Sequence, residues 1–248
     1  MQEKENNKSF ALWLGIMIGA SLLVSSIIFA YTFYRARSVD NALSVTGSAT
    51  MEVMSDKVRW TGSFTRTVKL ANLKTGYDQM AKDLAIIKEF LQISGVNESE
   101  VTVSTIFMNQ DYSNVNQNVT ATEREYVLNQ SIEISSIDVE KITRLAKNNQ
   151  DLIAKGVIFS SNPVEYYYSK LPEARVALLS DALKDAKARA EKLAEGTGSR
   201  VGSLKSAASG VVQVLSPNSI DVSDYGSYDT ASITKSIMVT VKASFNLY

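Results

Sequence analysis

The chain has 248 residues, with 26 basic and 26 acidic side chains and neither histidine nor cysteine. The missing His and Cys exclude Ser-His-Asp and Cys-His catalysis, thiol redox chemistry, disulfides and the usual zinc sites. The balanced charge gives no basic footprint, so nucleic acid is not an expected partner.

The chain opens on a stretch that organises the rest, Phe10 to Tyr34, FALWLGIMIGASLLVSSIIFAYTFY, with no charged residue. At about 1.5 Å rise per residue a helix here reaches about 37 Å, against a hydrocarbon core of about 30 Å. Ser21, Ser25, Ser26 and Thr32 can bond back onto the helix, and Trp13, Tyr31, Phe33 and Tyr34 stand near its ends, where aromatic rings favour the membrane interface. A core helix of this length would show a polar face, and none is present. A cut after Ala30 would put Ile28 at the −3 position, too large for a signal-peptidase site. The segment therefore reads as an uncleaved anchor contacting membrane lipid through residues 10–34. Lys4 and Lys8 before it and Arg35 and Arg37 after it nearly tie, so the flanking charges do not set its direction.

Residues 35–41 read as a polar linker, and 42–248 as one domain with enough chain for a core. Leu43 to Val53 reads as a strand, in which Gly47 of Val45-Thr-Gly-Ser-Ala49 marks a bulge or a close backbone approach. After the turn Ser55-Asp56-Lys57, Val58 to Val68 is a second strand. Leu70, Leu73, Tyr77, Met80, Leu84, Ile87 and Leu91 then make one apolar helical stripe, with Lys74, Asp78, Lys82, Asp83 and Lys88 off it. Gly76 is a mild interior cost and Gly95 a stop. Glu100 to Met108 alternates as a strand. Asn109 to Thr122 is a long Asn-rich loop, and Arg124 to Ser135 is a strand with Tyr126, Leu128, Gln130, Ile132 and Ile134 on one face.

Asp138 caps a helix expected over Val139 to Ala154, with Ile142, Leu145, Ala146, Leu152 and Ile153 inward. Val157 to Ser161 and Val164 to Ser169 form a strand pair or one bent strand. Tyr166, Tyr167 and Tyr168 in it are expected to pack in the core and across strands rather than form a ligand platform. Pro172 opens a helix running to Gly196 whose inner stripe is small: Ala174, Ala177, Leu178, Ala182, Ala186, Ala190, Leu193 and Ala194. Such a stripe permits close approach to a sheet or helix. Asp181, Asp185, Glu191 and Glu195 interleave with Lys184, Lys187, Arg189 and Lys192, the pattern of a solvated salt-bridge face rather than of paired catalytic or metal-binding carboxylates. Gly198 to Gly202 follow a helix and precede a strand, the wrong context for a dinucleotide loop. Ser203 to Leu215 reads as a strand, Ser216 to Ala231 as a polar loop, and Ile233, Ile237, Val239, Val241, Ala243, Phe245 and Leu247 as the inner face of a last strand, with Lys235, Lys242 and Asn246 placed in the opposite phase or at its start.

The element order is that of an α+β fold: antiparallel sheets with helices packed on them, preceded by one transmembrane helix. Strand–helix–hairpin occurs twice, which admits two duplicated halves, and the two polar loops would lie at hairpin tips.

From Leu43 to Leu247 the chain resembles the SIMPL-domain family of bacterial envelope proteins. The resemblance rests on Val45-Thr-Gly-Ser-Ala49, the amphipathic helix, Glu173-Ala-Arg175 with Ala177-Leu178, Ala182, Ala186 and Ala190-Glu-Lys-Leu-Ala194, Gly198 to Gly202, and the closing strand Ile237 to Leu247. It implies a domain outside the cytoplasm, similar to oxidative-stress-defence proteins and to an outer-membrane immunogen that forms ring-like, channel-like oligomers. No catalytic, cofactor or metal residue comes with it. It also implies the orientation: residues 1–9 a short cytoplasmic tail, 42–248 in the periplasm or outside the cell.

Three functions are compatible with this. The first is a non-enzymatic, membrane-tethered envelope protein acting through self-assembly as a homo-oligomer, or through an envelope partner, in envelope or oxidative stress tolerance. The second is a ligand-binding sensor, which an apolar pocket lined by Tyr166 or Tyr168 would favour. The third is a carboxylate- and metal-dependent enzyme, for which Asp78, Asp83, Asp111 and Glu133 are spread over separate elements. The first is expected, with no ligand-binding residue assigned.

Overall fold

The computed structural model describes residues 2–38, 42–111 and 124–248. An N-terminal helix, α1 (Gln2–Ser38), is exposed at every residue from Trp13 to Tyr34. Among the described residues it is the one helix long and apolar enough to cross a membrane. Ser21 Oγ donates to Ile18 O at 2.8 Å and Thr32 Oγ1 to Ile28 O at 2.8 Å. These bonds let hydroxyls sit in an apolar helix without an unmet donor.

The remaining chain is α+β, with two mainly antiparallel sheets. It divides into two compact units. One comprises 49–180 and 211–239; the other comprises 1–48, 181–210 and 240–248. The strands β1 (Ala42–Met54) and β11 (Thr234–Leu247) and the helix α5 (Leu171–Glu195) each contribute residues to both.

In the larger unit, β2 (Lys57–Lys69) and β5 (Glu125–Ser136) pair antiparallel from Val58↔Ser136 to Lys69↔Glu125. Period-two alternation puts Val58, Trp60 and Phe64 of β2 on the buried face with Leu128, Ile132 and Ile134 of β5. On the far edge of β5 lie β3 (Val101–Val103) and β4 (Phe107–Gln110); on the far edge of β2 lie β6 (Phe159–Ser161) and β7 (Glu165–Tyr167). Three helices, α2 (Leu73–Ile93), α3 (Val139–Lys147) and α4 (Gln150–Ala154), supply most of the rest of this core, which Val96, Val157 and Tyr166 complete. Asp138 caps α3 as expected, its Oδ1 accepting from Lys141 N at 3.0 Å. The same unit holds β9 (Gln213–Leu215), β10 (Ser227–Tyr228) and the first half of β11, with Ile237 and Val239 packing on Ala174 and Leu178 of α5.

In the smaller unit, β8 (Val201–Ser209) pairs antiparallel with the second half of β11, from Val241↔Ser209 to Leu247↔Val201. The Ala stripe of α5 packs closely on β1 there. A Cβ on Gly47 would run into Ala182 O and Ala186 N and lie 2.7 Å from Ala186 Cα. Only glycine fits so close to a helix backbone, so Gly47 marks the close approach that its sequence context suggested.

Several expectations are corrected. The buried line of α2 is Gly76, Met80, Asp83, Ile87, Phe90 and Leu91, while Leu70 and Tyr77 are exposed. Gly76 is a packing position: a Cβ there would come within 2.9 Å of the Val68 methyls. The helix expected over Val139 to Ala154 breaks at Asn148-Asn149, which turns Ile153 outward. On α5, Ala177 and Leu193 are exposed, because the buried positions recur at every fourth residue and so pass by both of them. The strand expected over Glu100 to Met108 is two short strands after a 3-10 turn at Glu98–Glu100. Ser203 to Leu215 is likewise two strands, and the loop after it contains β10, parallel to β9. The Asn109 to Thr122 loop joins β4 to the antiparallel β5, but its residues 112–122 lie outside the described ones.

Candidate functional site

One polar constellation of the larger unit is built where β7 runs against β2. The register Arg59↔Glu165 and Lys57↔Tyr167 sets an arginine beside a carboxylate with a phenol one step along. Arg59 Nε donates to Glu165 Oε2 at 2.7 Å, and Tyr167 Oη donates to the same oxygen at 2.7 Å. The Tyr167 hydroxyl, with help from Arg59 and against partial burial, holds the Glu165 carboxyl below its usual range. Burial and then the Glu165 charge push the Tyr167 phenol upward. The Arg59 guanidinium stands 5.6 Å over the Tyr167 ring, whose centroid is 5.9 Å from that of Tyr228.

Behind Tyr228 lies a lysine that the strand alternation conceals. Lys235, at the start of β11, is fully buried and in phase with Ile237 and Val239, not in the opposite phase, the other of its two expected places. Its Nζ donates to Asp229 O at 2.5 Å and Ser232 O at 2.8 Å, and lies 3.9 Å from the Asp229 carboxylate. Burial pushes the ammonium below the usual lysine range, with Asp229 opposing the shift. Asp229 in turn accepts from Ala231 N and Ser232 N, and those bonds with Lys235 outweigh its own burial to hold it low. With two of its three protons on backbone carbonyls, Lys235 staples the Asp229–Ser232 turn to β11.

A second buried charge sits on α2. Asp83, 1 % exposed, takes a bidentate bond from Arg66, Nε to Oδ2 at 2.6 Å and Nη2 to Oδ1 at 2.9 Å. Arg66 Nη2 also reaches Gly156 O at 2.7 Å, so the pair ties β2, α2 and the end of α4 together. The Asp83 bonds raise the Arg66 guanidinium further, against the effect of its burial. Beside it runs a groove of about 530 Å³ between the β2 end and α2, lined by Arg66, Lys69, Asn72, Thr75, Gln79 and Glu125 among others. A smaller cavity of about 360 Å³ is lined by Leu91, Val96, Val101 and Val103 together with Lys88 and Glu98. Neither is lined by Tyr166 or Tyr168.

The remaining sequence candidates fall as follows. Tyr166 is buried, and its hydroxyl lies 3.1 Å from Thr143 Oγ1, a core contact as expected; Tyr168 packs partly buried against the core of Ala174, Leu178, Val214, Ile237 and Val239. Asp181, Glu191 and Glu195 pair with Lys184, Lys187 and Lys192 on an exposed face. Asp185 departs from that face: it accepts from Ser48 N at 2.8 Å as well as from Arg189 Nε at 2.8 Å, so it pins β1 to α5. Those two bonds, the Ser48 amide first, hold its carboxyl low. Asp78 pairs with Lys74, and Asp83 with Arg66. No group of three or more metal-ligating side chains is present among the described residues.

Sequence reasoning passed over three features. Lys235 was legible as a charge in phase with the apolar positions of β11. Asp83 was legible by its spacing of three from Met80 and four from Ile87. On α1, Gly15-Ile-Met-Ile-Gly19 has the small-x-x-x-small spacing that lets two membrane helices approach, and nothing lies within 4 Å of a Cβ at either glycine.

These features define a two-sheet α+β domain following an exposed apolar helix. Residues 43–245 match the family SIMPL, described as "Protein of unknown function (DUF541)", and the chain belongs to that family. No curated protein matches it. Among solved structures, it is aligned with the regulatory subunit of aspartate kinase from Thermus flavus at 10 % identity, over 81 % of this chain and 89 % of that one, with a TM-score of 0.20. At that score the likeness carries no argument about fold or function.

Proposed function

We propose that the protein is a single-pass inner-membrane protein whose SIMPL domain lies on the outer side of that membrane and works without catalysis, by assembling with copies of itself or with an envelope partner. A part in envelope or oxidative stress tolerance is the role this reading points to. The observation that carries it is α1: no residue from Trp13 to Tyr34 is charged, Ser21 and Thr32 bond back onto the helix, and all of the span is exposed in the isolated chain. A soluble protein does not leave so long an apolar surface uncovered. Gly15 and Gly19 support contact between two such helices. β8 supports contact between domains: from Ser203 to Ser209 it is exposed on both faces, and among the described residues it has β11 alone as strand partner. An uncovered edge of this kind is a template for another strand. Tethering by α1 concentrates the domains on one face of the membrane.

The absence of cysteine makes the test direct. Single-cysteine variants Ser9→Cys and Ser203→Cys are treated in cells with a membrane-impermeant maleimide after the outer barrier is opened. Labelling at 203 and protection at 9 is the expected result; the reverse pattern sinks the orientation. In-cell crosslinking followed by mass measurement tests assembly, and a strict monomer with no co-purifying protein sinks it.

A further inference from the structure

The groove beside α2 holds two opposite charges that pair with no described residue. Lys69 and Glu125 are the last register pair of the β2–β5 ladder, and both line the groove. Among the described residues neither forms an ion pair, although each has the other as its cross-strand neighbour. Attraction between two such solvated charges is weak, so little is lost when a ligand comes between them. The third charge in the groove is already committed: Arg66 gives two bonds to Asp83 and one to Gly156 O. On the helix side, Asn72 stands at the N-terminus of α2 with no side-chain capping bond, and Gln79 uses its amide nitrogen on Asp83, which leaves its carbonyl oxygen for another donor. The volume, about 530 Å³, lies in the range of small-molecule sites.

We propose that this groove binds a small zwitterion, a free α-amino acid, with its carboxylate on Lys69 and its ammonium on Glu125. A simple anion meets Glu125 there and a simple cation meets Lys69; only a ligand bearing both charges is matched at both ends. Asn72, Thr75 and the Gln79 carbonyl supply neutral contacts along its length. This reading is independent of self-assembly, since the groove is formed within a single chain.

The test is calorimetric titration of the full chain in detergent with glycine, L-alanine and L-glutamine, each to about 20 mM, enough to fill a millimolar site. Acetate and methylammonium are titrated as the two half-ligands. The expected result is saturable binding of at least one amino acid, about tenfold or more tighter than either half-ligand. Lys69→Met and Glu125→Gln should each weaken that binding about tenfold or more while thermal unfolding stays as in the parent, because neither side chain has a partner to lose. The proposal is overturned if none of the three amino acids binds saturably, if acetate or methylammonium binds as tightly, or if both variants bind like the parent. The parent titrations decide the question even where a variant fails to fold.

Discussion

Helices α2 and α5 both lie on antiparallel sheet, yet they meet it in opposite ways. The buried line of α2 mixes Met80, Ile87, Phe90 and Leu91 with one glycine and one paired carboxylate. That of α5 is Ala174, Leu178, Ala182, Ala186, Ala190 and Ala194, one residue in every four. Large side chains hold α2 off its sheet and fill the space between. Alanines let the α5 backbone come down until Gly47 is the only residue type β1 can present to it. The four-residue repeat follows a single ridge inclined to the helix axis, the row along which close packing runs. Stability is thus supplied by apolar volume under α2 and by proximity under α5, so the two contacts should fail under opposite kinds of substitution.

The sharpest break comes from enlarging the α5 contact. Gly47→Val places side-chain atoms against helix backbone, which cannot step aside, and should cost about 3 kcal/mol or more in urea unfolding of the detergent-solubilised chain. Shrinking the α2 contact should cost nearly as much: Met80→Ala, at a fully buried site, removes about 3 kcal/mol by lost transfer energy and cavity formation. Asp83→Ala tests the carboxylate in the same line. It leaves Arg66 partly buried and unpaired, with an expected loss of about 2–3 kcal/mol, below that of a fully buried pair because Arg66 is 23 % exposed. The opposite changes should be mild. Gly76→Ala brings a methyl within 2.9 Å of both methyls of the stiff Val68, a clash with side chains and not with backbone that the gain of about 1 kcal/mol in helix propensity partly offsets, so its net loss should be about 1 kcal/mol. A Gly76→Ala loss as large as that of Gly47→Val would remove the distinction between the two contacts.

The smallest effect is acid sensitivity at the α5 contact. The Asp185 carboxyl is held low in the folded protein by Ser48 N–H and then Arg189. A folded value below the unfolded one means that its contribution is complete above the ordinary aspartate range and disappears as pH falls through the folded value. Asp185→Asn should therefore lower the melting temperature slightly at neutral pH, with the difference from the parent vanishing at strongly acid pH. A difference that grew on acidification would contradict the assignment.

Much of this was legible in the residues themselves. The alternation in Arg124 to Ser135 predicted Tyr126, Leu128, Gln130, Ile132 and Ile134 on one face; the last four are buried and Tyr126 is half-buried. Gly95, with φ of 77°, ends α2 where a stop was expected. The helices failed where packing had to choose among equivalent stripes. On α2 the expected stripe holds at Met80, Ile87 and Leu91 and, partly buried, at Leu73 and Leu84, but Leu70 and Tyr77 are exposed while Asp83 is enclosed with Arg66, a partner seventeen positions back. The burial of Lys235, at the start of β11, was hidden for a related reason. A lysine enters a core only when polar groups wait there, and the carbonyls of Asp229 and Ser232 are delivered by a turn that local pattern does not reveal. The groove charges Lys69 and Glu125 were individually unremarkable in sequence and became a pair only through strand register.

What the amino-acid sequence determined alone is whatever depends on local covalent character: an apolar run long enough to cross a bilayer, the period of each strand and helix, the caps and stops, and the chemistry removed by having no His or Cys. What the tertiary structure decided is whatever depends on a partner far along the chain: which side of α2 is buried, how near α5 comes to Gly47, why Lys235 can be enclosed, and which charges are left unmatched. Burial and pairing energies belong to both members of a contact, and the second member is brought there only by the fold.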